Sequence, residues 1–167
     1  MSTDELAAAY EALLDAARRA SPDVALDAEE RADVDWTLCH VALSDGILTR
    51  SAHDLATPRA TTKALVVDNH PAMDPEAIAA MVAATTHHDR VDALRHQADQ
   101  LLAALARVPE PAAETLVTLR IFDKTGQHAG DSEITWKGLV ELRTHHHIPA
   151  HTARLEAYRR AHRVQGE

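Results

Sequence analysis

Apolar residues that recur every three or four positions constrain the fold of this chain more than any other feature. The first such segment opens with a capping box, in which Ser2 is the N-cap and Glu5 its partner, and it ends at SPD, residues 21–23. Its apolar positions are Leu6, Tyr10, Leu13, Leu14 and Ala17. Aromatic residues make up only 3% of the chain. The core must therefore be built from Ala, Leu, Val and Ile, which favours closely packed helices.

A second helix follows, and its apolar face carries a histidine. Asp35 is a good N-cap before Trp36, so the helix is predicted to begin near Asp35 or slightly earlier, and Pro58 lies just past its end. The residues that share one face are Trp36, His40, Leu43 and Ile47. The single cysteine, Cys39, lies in this apolar stretch, so no internal disulfide can form. We expect its thiol to be buried and inert.

A third helix is predicted from Asp74 to Leu105. Asp74 is a favourable N-cap, and Pro75 occupies the first helical position. The periodic pattern is weak over ATTHHDR, residues 84–90, and predicts a bend or a break there. The pattern stops at VPEP, residues 108–111.

A β-hairpin is predicted next. The β-branched, alternating stretch at residues 115–122 is followed by turn residues DKTGQ and by a returning strand at residues 132–136. The last helix spans about Trp136 to Arg163. Four helices with one hairpin before the fourth predict an all-α fold, a four-helix bundle with a short β-hairpin, formed by residues 1–167 as a single domain.

Charge and hydropathy exclude several classes of protein. The formal net charge is −9, and the three lysines, Lys63, Lys124 and Lys137, form no basic stripe of the kind that binds nucleic acid. No apolar run approaches the ~20 residues of a membrane span. The N-terminal segment carries acidic residues where a signal peptide would carry positive charge. We expect a soluble, cytoplasmic protein with neither a nucleic-acid nor a membrane partner.

The segment RTHHHIPAHTARL, residues 143–155, contains the most informative spacing. His147 and His151 are four residues apart, so on a helix their Cβ atoms lie about 5–6 Å apart on one face. Both imidazoles can then reach one metal ion at ~2.0–2.1 Å. His145 and His146 point elsewhere and are predicted to lie at the rim or in solvent.

Pro149, between the two histidines, has two interpretations. Within a helix it removes the hydrogen bond to the carbonyl of His145 and introduces a kink, at a cost of ~3 kcal/mol or more. It lies ~200° around the helix from His147 and His151, so its ring would not obstruct them. Alternatively, Pro149 marks a helix boundary.

His40 is the best candidate for a third ligand. On the apolar face of the second helix, an imidazole without a partner would incur a desolvation penalty of ~1–3 kcal/mol. Taken alone, His40 would more often be a core histidine that is hydrogen-bonded to a neighbour. The HxxxH pair on the last helix reverses that preference and favours a metal ligand. Three neutral imidazoles leave coordination positions open, as in catalytic metal sites. Because imidazole must be neutral to coordinate, ion affinity is expected to fall below about pH 6.5.

The remaining histidines predict no site. His87, His88 and His96 lie on the third helix at spacings unsuited to a shared ion, and we interpret them as a polar helix face. The histidines without any partner spacing are His53, His70, His128 and His162.

Two motifs carry a resemblance to a known family. DWTLCHVA at residues 35–42 and HHIPAHTARL at residues 146–155 are similar to the second-helix W-T/S-x-x-x-H and fourth-helix H-x-x-x-H segments of the DinB/YfiT-like metal-binding four-helix bundles. The element order, with a strand-turn-strand before the last helix, resembles the family over nearly the whole chain. The family includes an actinobacterial branch of mycothiol-dependent enzymes such as maleylpyruvate isomerase.

The resemblance implies a site and a chemistry. Its metal triad falls on His40, His147 and His151, with zinc, nickel or another divalent ion. Some members of the family transfer or isomerise with a small cofactor thiol, and the bundle is often a homodimer. The hypothesis is a metal-dependent S-transfer or isomerisation enzyme, in which a cavity near Trp36 and Ser44 holds a small-molecule substrate and the cofactor thiol is of the mycothiol type.

Two other functions remain open from the sequence. A metal-dependent hydrolase would need a general base near the ion, for which Asp45 and Glu141 are candidates. A non-enzymatic protein that binds metal or a small ligand in a stress response is the third hypothesis.

Overall fold

A computed structural model describes residues 3–57 and 65–163. The described part is mostly helical and carries one small sheet. The helices are α1 (Asp4–Arg19), α2 (Ala28–Ala56), α3 (Pro75–Ala84), α4 (His87–Leu105), α5 (Trp136–Leu142) and α6 (Ile148–Arg163). The strands are β1 (Leu65–Asp68), β2 (Leu116–Phe122) and β3 (His128–Thr135). Short 3₁₀ turns span His70–Ala72 and Glu110–Glu114, and a π turn spans Arg143–His147.

The first two helices begin differently from the sequence-based predictions. Ser2 lies outside the described residues, and α1 starts after Thr3, whose side chain makes no capping bond. Helix α2 starts at Ala28, because Asp27 and Glu30 form a reciprocal capping box with bonds of 2.8 and 3.0 Å. The prediction that α2 begins near Asp35 was therefore wrong. Asp35 is buried within the helix and binds the guanidinium of Arg90 at 2.7 Å.

The predicted third helix is divided in two. Its start is confirmed, since the Asp74 side chain accepts from the Glu76 amide at 2.9 Å and Pro75 is the first helical residue. The break expected within residues 84–90 is also confirmed. A second capping box, between Thr86 and Asp89, starts α4.

The predicted hairpin is confirmed and belongs to a larger sheet. Strands β2 and β3 pair antiparallel, with Leu116 opposite Thr135, around a turn in which Gly126 has a φ of 76°. Strand β1 pairs parallel to β2, in a segment for which neither a helix nor a strand was predicted. Four residues give too short a pattern to separate a strand from a loop. The fold is thus mostly helical with a three-stranded sheet, rather than helices with a hairpin alone.

Residues 136–163 form one continuous helical rod made of α5, the π turn and α6. The amide of Ile148 bonds to the Arg143 carbonyl five residues back, which is the π pattern. Pro149 follows directly and lies inside the rod, so its interpretation as a helix boundary was wrong. The wide turn comes where proline withholds the hydrogen bond that an α-helix would need at His145.

The core lies where α1, α2, α4 and the rod pack against one another. Aliphatic side chains dominate it, as the composition predicts, and the buried aromatic residues are Tyr10 and Trp136. Cys39 is fully buried, as predicted, and burial raises the pKa of its thiol to about 11, which disfavours the reactive thiolate. Among the described helices, none combines the length and the apolar character required to cross a bilayer.

Candidate metal centre

Three histidine rings from two helical elements converge on one point. His40 lies in the middle of α2, His147 ends the π turn, and His151 lies in α6. One ring nitrogen of each lies within 4.8 Å of those of the other two. The ring centroids of His40 are 5.3 Å from those of both His147 and His151, which are themselves 4.7 Å apart. The convergence expected from sequence spacing is confirmed.

The orientation of the His40 ring is fixed by a backbone carbonyl. Nδ1 of His40 lies 2.7 Å from the oxygen of Ala72, which ends the 3₁₀ turn after β1. A carbonyl can only accept, so Nδ1 carries the proton and Nε2 keeps its lone pair. On one face the ring stacks against Trp36, with centroids 4.6 Å apart and planes inclined by 10°. Such a carbonyl bond is the usual support of a metal-binding histidine.

The three rings are held neutral by their surroundings. Burial lowers the pKa of His40 to about 4, and the Arg143 guanidinium adds to the effect. Burial and Arg143 likewise lower the pKa of His147 to about 2. For His151 burial and the neighbouring His40 ring lower the pKa to about 3. Neutral imidazole is the form that coordinates a metal.

Two ring nitrogens of the cluster are left without partners. Nε2 of His147 and Nδ1 of His151 are buried, and neither makes a hydrogen bond with any part of the chain that the structure describes. Buried polar atoms of this kind cost roughly 1–3 kcal/mol each when unpaired. Three neutral imidazoles with unsatisfied nitrogen atoms fit a divalent transition metal such as zinc or nickel.

A cavity of about 120 Å³ lies beside two of the rings. Its polar lining consists of His40, His147, Ser44, Asn69 and Arg143. The apolar lining is aliphatic and comes from Ile47, Leu48, Val67, Leu119, Leu139 and Leu142. The cavity confirms a recess next to Ser44. Trp36, expected beside it, is not among the lining residues and instead packs on His40.

A buried charged network supports the Ser44 side of this cavity. Nε of Arg143 donates to the Tyr10 hydroxyl at 2.9 Å, and the Tyr10 hydroxyl donates to the Asp45 carboxylate. The carboxylate also pairs with the Arg143 guanidinium, whose Nη1 donates to Ser44 Oγ at 3.0 Å. Burial alone would lower the pKa of Arg143, but Asp45 and Tyr10 hold it above its ordinary value.

Neither candidate for a general base lies in position. Asp45 is fully buried, is bound by Tyr10 and Arg143, and is not a lining residue of the cavity. Glu141 is exposed and forms an ion pair with Lys137, one helical turn back, at 4.0 Å. The proposal of either residue as a base for hydrolysis is therefore not supported by its position.

Cations lie on the other side of the rings, around Trp36. Lys124 Nζ is 4.0 Å from the centre of the Trp36 ring and 3.1 Å from the Asp33 carboxylate. Arg154 and Tyr158 bind the same carboxylate at 3.4 and 2.9 Å. No local pattern indicates this group, since Asp33 is 91 residues from Lys124 and 121 from Arg154. Two cations share this one carboxylate, so this side of the histidines keeps a net positive charge in a chain whose net charge is −9.

The other histidines stand apart from the centre. His145 and His146 are exposed, as predicted. His88 and His96 are also exposed, but His87 is not part of a polar face. It is 8% exposed and lies 3.1 Å from the Ala17 carbonyl and 4.0 Å from Asp35. Of the histidines without partner spacing, His53 and His128 are exposed, His70 packs on Phe122, and the His162 side chain lies outside the described residues.

The chain matched no protein-family model, no curated protein and no solved structure in the comparisons made. The chemistry of the three histidines and the adjoining cavity is therefore the basis for assigning a function.

Proposed function

We propose that this protein is a divalent-metal-dependent enzyme that acts with a small thiol cofactor. His40, His147 and His151 would hold the ion, with zinc or nickel the preferred metals. The observation that carries the proposal is the set of three neutral, buried imidazoles beside a cavity. Within the described ranges, no carboxylate or thiol joins the three rings. A three-ligand site with open positions is typical of catalytic metals.

The proposal extends the resemblance to DinB/YfiT-like four-helix bundles. The packing of α1, α2, α4 and the rod supports a bundle. The positions of the three histidines, on the second helix and on the last rod, support the family's metal triad. Mycothiol-type S-transfer or isomerisation is the activity that this resemblance favours.

A bound divalent ion lowers the pKa of a thiol or water that it binds, and so supplies a nucleophile near neutral pH. The chain's own residues provide the surroundings for that nucleophile. The Ala72 carbonyl orients His40, and the aliphatic cavity wall excludes water from one side of the rings. Lys124 and Arg154 share a single counter-ion, Asp33, and their excess positive charge favours anionic forms of a cofactor or substrate.

Thiol chemistry is better supported than hydrolysis. Hydrolysis would need a base that activates water, and no Asp or Glu is among the described residues lining the cavity. A thiolate needs no such base once its pKa is lowered. An assay can separate the two reactions, because S-transfer or isomerisation depends on an added thiol and hydrolysis does not.

Metal content and thiol dependence test the proposal together. Protein purified without added metal is expected to contain about one equivalent of zinc or nickel by elemental analysis. His147→Ala should lose the ion, whereas the neighbouring exposed His146→Ala should retain it and serves as the matched control. Turnover of an electrophilic substrate should require a low-molecular-weight thiol.

Three results would contradict parts of the proposal. Equal metal content in the His147→Ala and His146→Ala proteins would contradict metal binding by the three histidines. Turnover of esters without any thiol would favour the hydrolase. Saturable ligand binding without turnover in a panel of thiols and electrophiles would favour a non-enzymatic binding protein.

A further inference from the structure

Apart from the histidine nitrogens of the metal centre, the polar side chains that line the cavity have hydrogen-bond donors free for a ligand. Ser44 is the first of them. Its Oγ accepts a hydrogen bond from Arg143 Nη1 at 3.0 Å. A guanidinium can only donate, so the Ser44 hydroxyl proton must point to another acceptor. No such acceptor is found within the described part of the chain, and Ser44 lines the cavity.

Asn69 provides the second donor, from the sheet side of the cavity. Its Oδ1 accepts from the backbone amide of Phe122 at 2.7 Å, which identifies the oxygen and the nitrogen of the side-chain amide. The Nδ2 group therefore carries two N–H donors, and neither has a partner among residues 3–57 and 65–163. Asn69 also lines the cavity.

Arg143 contributes to the same pattern. Its Nε, Nη1 and Nη2 groups donate to Tyr10, Ser44 and Asp45 respectively. Nη2 also donates to the Val41 carbonyl at 3.5 Å, so four of the five N–H donors of the guanidinium have partners. Asp45 and Tyr10 hold the guanidinium plane of Arg143 in place. Arg143 in turn positions the Ser44 hydroxyl and is therefore a positioning residue.

We propose that this cavity binds the carbonyl or carboxylate oxygen of a small aliphatic compound, held by Ser44 Oγ–H and Asn69 Nδ2–H. Two donors on facing elements complement an oxygen acceptor, and the six aliphatic side chains complement a short hydrocarbon body. His40 and His147 line the same cavity, so this oxygen lies next to the metal centre. This assignment names a substrate class for the proposed function. It rests on the proposed function only for the role of the metal ion.

Butanoate, 2-butanone and butylammonium test the assignment directly, because they share a short aliphatic body and differ in their polar end. Binding is measured by NMR chemical-shift titration of the full chain, both metal-free and zinc-loaded. Butanoate and 2-butanone are expected to bind and to shift the signals of Ser44 and Asn69. Butylammonium, which has only donors, is expected not to bind the zinc-loaded protein, because there the ion occupies the ring nitrogens of His40 and His147 that could accept from it. The ratio of the butanoate and 2-butanone affinities distinguishes a charged from an uncharged substrate.

Variants localise the effect. Ser44→Ala should weaken butanoate binding by about tenfold, the usual effect of one hydrogen bond to a charged group. Ser51→Ala, on the same helix, is the matched control, because the Ser51 hydroxyl bonds to the Ile47 carbonyl of its own helix. Asn69→Asp keeps the oxygen that Phe122 needs but replaces both donors with an acceptor. It should weaken butanoate binding more than 2-butanone binding.

The assignment is overturned if butylammonium binds the zinc-loaded protein as well as butanoate does, or if neither oxygen compound binds in either metal state. It is also overturned if Ser44→Ala and Ser51→Ala bind butanoate equally. Failure here is distinct from failure of the proposed function. A protein that holds zinc but not butanoate refutes the oxygen site alone, and one that binds butanoate in its metal-free form but takes up no zinc refutes the metal centre alone.

Discussion

Replacing Asp45 with asparagine is expected to destabilise the protein strongly, because it breaks a buried ion pair. Asp45 is fully buried, and Arg143 is only 4% exposed. The carboxylate binds both the guanidinium and the Tyr10 hydroxyl. Asparagine has nearly the same size but no charge, so the Arg143 cation would remain in the core without its counter-ion.

The expected loss follows from this burial. Removing one partner of a buried ion pair costs about 3–5 kcal/mol, whereas an exposed pair contributes about 0–1 kcal/mol. The Lys137–Glu141 pair, with side chains 52% and 55% exposed, provides the matched control. Asp45→Asn should lower the free energy of unfolding by about 3–5 kcal/mol, a large part of the usual 5–15 kcal/mol of a domain. Glu141→Gln should lower it by less than about 1 kcal/mol.

Urea unfolding of the metal-free proteins, followed by circular dichroism, measures these differences. The double variant Asp45→Leu/Arg143→Met removes both charges and should recover much of the loss, because no ion is left unpaired. If Asp45→Asn and Glu141→Gln lose equally little stability, Asp45 is not the counter-ion of Arg143. The carboxylate would then return as a candidate for a general base.

Four more predictions depend on local structure. An unfolded histidine is protonated near pH 6.5, but folded His40 only near pH 4. The stability of the metal-free protein should therefore be full above pH 6.5 and fall as the pH approaches 4, by on the order of 3 kcal/mol from His40 alone, as urea unfolding across this range would show. Metal affinity should decline near pH 4 rather than 6.5, and a decline centred at 6.5 in a zinc titration would contradict the buried rings. Cys39 should resist alkylation by iodoacetamide at pH 8 until the protein is unfolded, and rapid labelling of the native protein would contradict its burial. Asp27→Ala should lower the unfolding free energy by about 0.5–2 kcal/mol, whereas Glu29→Ala should change it little, and equal effects in urea would contradict the capping box at Asp27.

Local signals in the sequence were sufficient to predict the three-histidine cluster. His147 and His151 are one helical turn apart, and His40 interrupts an apolar face, so both features can be recognised without any tertiary contact. Their meeting depends only on two helices facing each other. The helix break near Thr86 and the hairpin were likewise encoded by capping and turn residues within a few positions.

The groups that complete the site were not predictable in this way. Tyr10 and Arg143 are 133 residues apart, and no pattern near either of them indicates the other. Asp27 and Asp35 are both acceptable N-caps, and the capping box with Glu30 is what distinguishes Asp27. Asp35 instead binds Arg90, which lies 55 residues further along the chain, so Asp35 is a buried ion-pair partner and not a helix cap. Side chains that act through distant partners require the folded structure.

X-ray absorption spectroscopy of the zinc-loaded protein tests the central claim most directly. The account predicts a first coordination shell with three imidazole nitrogens at ~2.0–2.1 Å, completed by water or an added thiol. The His40→Ala protein should lose one of these imidazoles or fail to bind zinc. A spectrum with fewer than three imidazoles, or one unchanged by His40→Ala, would contradict the assignment of His40, His147 and His151 as the metal ligands.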